Sequence, residues 1–204
     1  EPLPDVSIES VFTQFSLDSS KLICLVEFSQ HVEGELQVDL LKSGELITSA
    51  KASTELRGET RVPIAIEDPL LWSPESPYLY DLHLTFITSS GQRDIVTSYC
   101  GLREISTEGG TFKLNDEELY IRGILDQGYF PKGWYTAISD DQYKKDIELT
   151  LSMGFNCVRK HQKAEDPRYL YWADKMGLLV WSEMPSGRIF STELIQALTN
   201  EWQN

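Results

Sequence analysis

Hydrophobic and polar residues alternate one by one through much of the first hundred positions of this chain. Leu36, Val38 and Leu40 interleave with Glu35, Gln37 and Asp39; Tyr80, Leu82, Leu84 and Phe86 interleave with Asp81, His83 and Thr85. Period two with one polar face predicts strands packed on a core from one side, as in an antiparallel sandwich. Lys21 to Phe28 reads as a further strand. So does Arg61 to Ile66, where Pro63 points to a sheet edge because proline cannot donate to a ladder. Gly34, Ser43-Gly44, Gly58 and Ser90-Gly91 punctuate the run as turns. Pro69 to Tyr80 reads as a proline-pinned corner whose Trp72 and Tyr78 cover the sandwich end.

The period changes near residue 105. From Ser139 to Glu183 the pattern is helix, glycine, apolar strand, repeated twice. Ser139 and Gln142 form a capping-box pattern, and Tyr143, Ile147 and Leu151 make one apolar helix face that Gly154 ends. Asp166 and Pro167 read as N-cap and first helical residue, with a helix to Lys175 ended by Gly177. Strands are expected at about 118–123, 155–158 and 178–181. Such repeats signal parallel α/β crossovers, whose right-handedness puts both helices on one side of the sheet. About seven strands in about 100 residues fit an immunoglobulin-like sandwich. The expected fold is an all-β immunoglobulin-like sandwich, residues 1–106, followed by an α/β segment, residues 107–204.

Composition narrows the function classes. A formal net charge of −14 argues against nucleic acid and anionic membrane surfaces as partners. No apolar run approaches the ~20 residues that span a bilayer. The opening EPLPDVSIES has no basic or apolar leader region. The compartment stays open: cytoplasm is favoured, with periplasm or secretion left standing. Cys24, Cys100 and Cys157 stand far apart without a CxxC, which predicts buried free thiols rather than a disulfide framework or a zinc site.

The run Pro69-Leu70-Leu71-Trp72-Ser73-Pro74-Glu75-Ser76-Pro77-Tyr78-Leu79-Tyr80 resembles the sandwich signature of glycoside hydrolase family 2, the family of β-galactosidases and β-glucuronidases. Gly101-Leu102-Arg103-Glu104-Ile105 is similar to that family's exit from the sandwich, and Phe112 to Asn115 to the hairpin after it. Tyr120-Ile121-Arg122-Gly123, Met153 to His161, and Ala173 to Trp181 resemble its first three barrel strands. The resemblance implies the first three or so β/α units of an incomplete TIM barrel, and a retaining enzyme that uses one glutamate as acid/base and another as nucleophile. Both glutamates are expected beyond Asn204. The implied partners are a β-linked carbohydrate substrate, the rest of the barrel and an N-terminal jelly-roll domain. Self-association through the open half-barrel is also expected. No cofactor is expected, although the family leaves room for a divalent or monovalent cation in a full-length enzyme.

Residues at the carboxyl ends of barrel strands are the candidates for substrate binding. Arg159 and His161 end the second strand, where the family places an arginine and a histidine lining the sugar pocket. Lys160-His161-Gln162-Lys163 departs from the Ser-His-Tyr-Pro-like run of many members. Glu183 ends the third strand and can bond sugar hydroxyls, bind a cation or pair with Arg159. Asp126 and Gln127 follow the first strand, and Trp134 and Tyr135 sit in a long loop where they can stack on a sugar. Arg122 falls inside the first strand and is expected to pair with an internal carboxylate. Asn200-Glu201 looks like the family's acid/base pair, but the stripe Leu194, Ile195, Leu198, Trp202 puts it on a solvated helix. His31 and His83 read as surface residues. Two functions remain: part of a family 2 retaining glycosidase, or a non-catalytic sandwich module binding glycan or protein.

Overall fold

The computed structural model of the chain describes residues 6–30, 32–54, 59–187 and 191–203, with side chains through 199. They form two compact units, 1–119 and 120–204. Of the positions the sequence points to, His31, Gly58 and the side chains of Asn200, Glu201 and Trp202 lie outside the described residues.

In the first unit, strands β1 (Ile8–Ser16), β2 (Lys21–Phe28), β3 (Gly34–Lys42), β4 (Glu45–Thr54), β5 (Thr60–Ala65), β6 (Tyr80–Thr88) and β7 (Arg93–Cys100) make two antiparallel sheets, β1-β2-β5 and β4-β3-β6-β7. The alternating positions meet between them: Leu36, Val38, Leu40, Leu82, Leu84 and Phe86 face Leu22, Cys24, Val26, Val62 and Ile64. Pro63 sits on β5, an edge strand, as its missing donor requires. Gly34 allows a close approach, since a Cβ there would lie 2.5 Å from the Ile87 carbonyl oxygen. Trp72 is fully buried, its N–H donating to Leu102 O at 2.9 Å while its carbonyl accepts from Asn115 Nδ2 at 3.0 Å. His83 is half-buried rather than on the surface, because its strand is flanked by partners on both sides. All three cysteines are free and buried, and burial pushes the Cys24 thiol up to about 12. The residues between the expected boundary at 106/107 and the observed division hold most of a small sheet, β8 (Ile105–Glu108), β9 (Thr111–Leu114) and β10 (Glu117–Glu118).

In the second unit, β11 (Gly123–Asp126), β12 (Cys157–Lys160) and β13 (Leu179–Ser182) form a parallel sheet in sequence order. Helices α1 (Asp140–Ser152) and α2 (Pro167–Met176) connect them, and α3 (Thr192–Gln203) follows. Tyr143 and Ile147 of α1 and Tyr169 and Ala173 of α2 pack in one core with Val158 and Leu178, so both helices cover the same face. Asp166 caps α2 by accepting from Arg168 N at 2.9 Å, and Gly177 ends it at φ 83°. The capping box at Ser139 does not form: the Ser139 side chain makes no cap bond, and Gln142 Oε1 accepts instead from Ile138 N at 2.8 Å. The first strand begins at Gly123, later than the pattern Tyr120-Ile121 predicts. The Asn156 side chain explains the delay. It donates to Tyr120 O at 3.0 Å and accepts from Arg122 N at 2.7 Å, occupying backbone groups that a ladder would need.

Candidate active site

Alternation along a strand decides which side chains reach which face. Ile124, Val158 and Val180 turn toward the helices. The next row, in register across the sheet, is Leu125, Arg159 and Trp181. It lies on the face turned away from α1 and α2; Leu125 and Trp181 are each 53% exposed. The row after that, Asp126, Lys160 and Ser182, again belongs to the helix side.

On the open face, Arg159 Nε donates to Glu183 Oε1. Glu183 Oε2 accepts the Gln162 N–H at 3.0 Å. The Gln162 amide, the Arg159 guanidinium and the nearby His161 hold the Glu183 carboxyl below the usual range, against a modest opposing desolvation. Held by Nε, Arg159 keeps its two terminal nitrogens without a hydrogen bond among the described residues. His161 is fixed through its backbone N–H to Asp126 O at 2.8 Å, and its Nδ1 lies 3.4 Å from Gln127 Nε2. Four of the expected site residues are thereby joined in pairs, Arg159 with Glu183 and His161 with Gln127.

Asp126 lies elsewhere. Its Oδ2 pairs with Lys160 Nζ and its Oδ1 accepts from Gly128 N at 2.8 Å. Burial works against the Asp126 anion, but the Lys160 ammonium and the Gly128 N–H outweigh it, so its pKa is lowered. Lys160 is fully buried, with Glu165 Oε2 at 3.2 Å, Asp146 Oδ2 at 3.8 Å and the Tyr169 ring centroid at 3.8 Å. Lys163 is buried beside it. Its ammonium meets Glu165 Oε1 at 2.8 Å and donates to Gly128 O at 2.9 Å and Tyr135 O at 2.7 Å. Burial pushes Asp146 upward, Lys160 opposes this, and the Asp126 and Glu165 carboxylates add to it.

Lys160, Lys163 and Glu165 were not singled out from sequence. The signal was present for Lys160: beside Arg159 in one strand, it must face the opposite way. Arg122 departs from expectation too. It precedes β11, is exposed, and its Nε donates to the Gly154 carbonyl at 2.8 Å, so it needs no carboxylate. No group of three or more His, Cys, Asp or Glu side chains able to hold a metal occurs among the described residues.

The family models "Glycosyl hydrolases family 2" and "Glycosyl hydrolases family 2, TIM barrel domain" match residues 6–103 and 105–204. The chain belongs to glycosyl hydrolases family 2. It is 31% identical to a β-galactosidase of Psychromonas ingrahamii over 85% of this chain and 17% of that protein. To a β-galactosidase of Lactococcus lactis subsp. lactis it is 36% identical, over 59% of this chain and 12% of that protein. Among solved structures, a Parabacteroides merdae β-glucuronidase superposes with a TM-score of 0.78 at 23% identity, over 96% of this chain and 26% of that one. The chain thus spans a minor share of each relative's length. The fold reading of an immunoglobulin-like sandwich followed by the start of a TIM barrel stands, and the family's relatives are glycosidases.

Proposed function

We propose that the chain supplies the sandwich and the first three β/α units of a retaining glycosidase for β-linked sugars. In this reading, Arg159, Glu183, His161 and Gln127 form one wall of the sugar pocket. Asp126 contributes by holding the loop after β11 through Lys160 and Gly128. The observation that carries the reading is the Arg159–Glu183 pair at the carboxyl ends of parallel strands, on the face left open by the helices. Family membership supports it, and so does the matched span of about a sixth or less of the β-galactosidases named above.

Retaining cleavage needs a carboxylic acid that protonates the leaving oxygen and a second carboxylate about 5–5.5 Å away. The acid needs a raised pKa. Asp126 and Glu183 are both held ionised by their partners. Asp146, whose pKa is raised, lies on α1 behind the sheet. As the family resemblance implies, we assign the two catalytic glutamates to barrel units outside this chain. Glu183 fixes Arg159 by one edge of its guanidinium, leaving the other edge for a sugar hydroxyl or a catalytic carboxylate. The open row Leu125, Arg159, Trp181 is also where self-association is proposed.

The test uses aryl β-galactoside and aryl β-glucuronide substrates. Residues 1–204 alone should turn over neither above background. Turnover of either, abolished by Glu183→Gln, would place the chemistry inside this chain and overturn the proposal.

A further inference from the structure

Three carboxylates and two ammonium groups meet on the helix side of the parallel sheet. Asp126 comes from β11, Lys160 from β12, Lys163 and Glu165 from the loop after β12, and Asp146 from α1. Lys160, Lys163 and Glu165 are buried by residues of this chain itself. The charges do not balance. With every group ionised, three negative charges face two positive ones, and an uncompensated charge in a buried setting is costly. The distances show which carboxylate is in excess. Asp126 Oδ2 pairs directly with Lys160 Nζ. Glu165 reaches both cations, Lys163 at 2.8 Å and Lys160 at 3.2 Å. Asp146 Oδ2 stands 3.8 Å from Lys160 Nζ, beyond hydrogen-bonding reach.

The titratable groups facing the Asp146 carboxyl are Lys160 of β12, Asp126 of β11, Glu165 of the loop after β12 and Tyr169 of α2. Burial is the largest influence on it and raises its pKa. The Lys160 ammonium opposes this, the Asp126 and Glu165 carboxylates add to it, and the Tyr169 hydroxyl works weakly against it. What Lys160 grips matters for the site. Asp126 Oδ1 accepts from Gly128 N at 2.8 Å, and Asp126 O accepts from His161 N at 2.8 Å. Gln127 lies between these anchors, its Nε2 3.4 Å from His161 Nδ1. A second anion beside Lys160 repels Asp126 and competes for its cation, which strains both anchors.

Resting on the glycosidase reading for the role of Gln127 and His161, we propose that Asp146 is a proton-controlled positioning residue. With its proton in place, Lys160 belongs to Asp126 and the Gln127–His161 pair is held. Without it, the loop after β11 loosens. Asp146 acts through Lys160 and Asp126 and touches no substrate.

Carbon-13 NMR of the side-chain carboxyls of the 204-residue chain, read beside amide exchange, tests this without catalysis. Asp146 should titrate with a midpoint above 3.8 and Asp126 with one below it. Exchange of the Gly128 and His161 N–H groups, divided by their intrinsic rates, should be slowest between the two midpoints. Above the Asp146 midpoint it should rise to a plateau, about tenfold for each pH unit by which that midpoint exceeds 3.8, since one coupling sets both. The Leu178 N–H, bonded to Ala173 O, should not follow. Asp146→Asn, a neutral isostere, should abolish the alkaline rise and keep exchange slow. An Asp146 midpoint at or below 3.8, or an alkaline rise that persists in Asp146→Asn, overturns the proposal. In an enzyme containing this chain, kcat/KM should step down on the alkaline side at the Asp146 midpoint, and Asp146→Asn should remove that step. A profile in which the step survives Asp146→Asn counts against the proposal as well. Failure of such an enzyme to cleave any glycoside would sink the glycosidase reading, whereas the carboxyl titration and amide exchange decide the role of Asp146 separately.

Discussion

Arg159 and Lys160 are consecutive cations on one strand, and they meet opposite surroundings. Lys160 points to the helix side, fully buried among Asp126, Glu165, Asp146 and the Tyr169 ring. Arg159 points to the open face, paired with one carboxylate and partly exposed. The helix-side cluster sets the shape of the loops after β11 and β12. The open-face pair has donor groups to spare for a ligand. One peptide step separates a residue that holds the site from a residue proposed to serve it.

Removing Lys160 should have the largest effect. Lys160→Met leaves Asp126 and Glu165 without their shared cation in a buried setting, and such losses cost about 3–5 kcal/mol. Urea unfolding of the 204-residue chain would measure it; a change below about 1 kcal/mol, the size expected of a surface pair, would break the contrast. Gly128→Ala should come next. Gly128 sits at φ 65°, and a Cβ there would lie 2.6 Å from Lys163 Nζ and 2.7 Å from Glu165 Oε2. Left-handed strain alone costs on the order of 1–3 kcal/mol, and the same unfolding assay reads it.

Acid should loosen both faces. The folded pKa values of Asp126 and Glu183 lie below their ordinary values of 3.8 and 4.5. Their contributions are therefore complete above the ordinary values and are lost as pH falls through the folded ones. Asp146, with a raised pKa, works the other way and disfavours the fold as pH rises through its ordinary value. Amide exchange reports the first effect locally. The Gly128 and Gln162 N–H groups, bonded to these two carboxylates, should lose protection in acid before the Leu178 N–H, which bonds to the Ala173 carbonyl. Uniform loss across all three would contradict it. Smallest of all should be the stability change on Arg159→Ala, roughly 0–1 kcal/mol, as for an exposed ion pair.

The sandwich was legible because its strands are long and their alternation is strict, as in Leu36, Val38, Leu40. The two α/β units were legible from Gly154 and Gly177, whose positive φ ends each helical segment. The first barrel strand was misplaced because an Asn156 side chain, distant in sequence, takes the backbone groups of Tyr120 and Arg122. The capping box failed because Gln142 reaches the Ile138 amide instead of Ser139. Position at a strand end points to Arg159 and Glu183. It does not distinguish faces, so it groups Asp126 with them and passes over Lys160. The Lys163–Glu165 tether to Gly128 depends on two segments, the loops after β11 and β12, meeting in space, and no spacing along the chain encodes it.

The most direct test of the account is the effect of Arg159→Ala on kcat/KM, in an enzyme that contains this chain, measured with the unfolding midpoint. The account predicts a fall of about 10²-fold or more, the usual size when one positioning or electrostatic group is lost, with the midpoint nearly unchanged. A kcat/KM within about twofold of the parent enzyme, against that expected 10²-fold fall, would show that the open face of this sheet does not carry the sugar site.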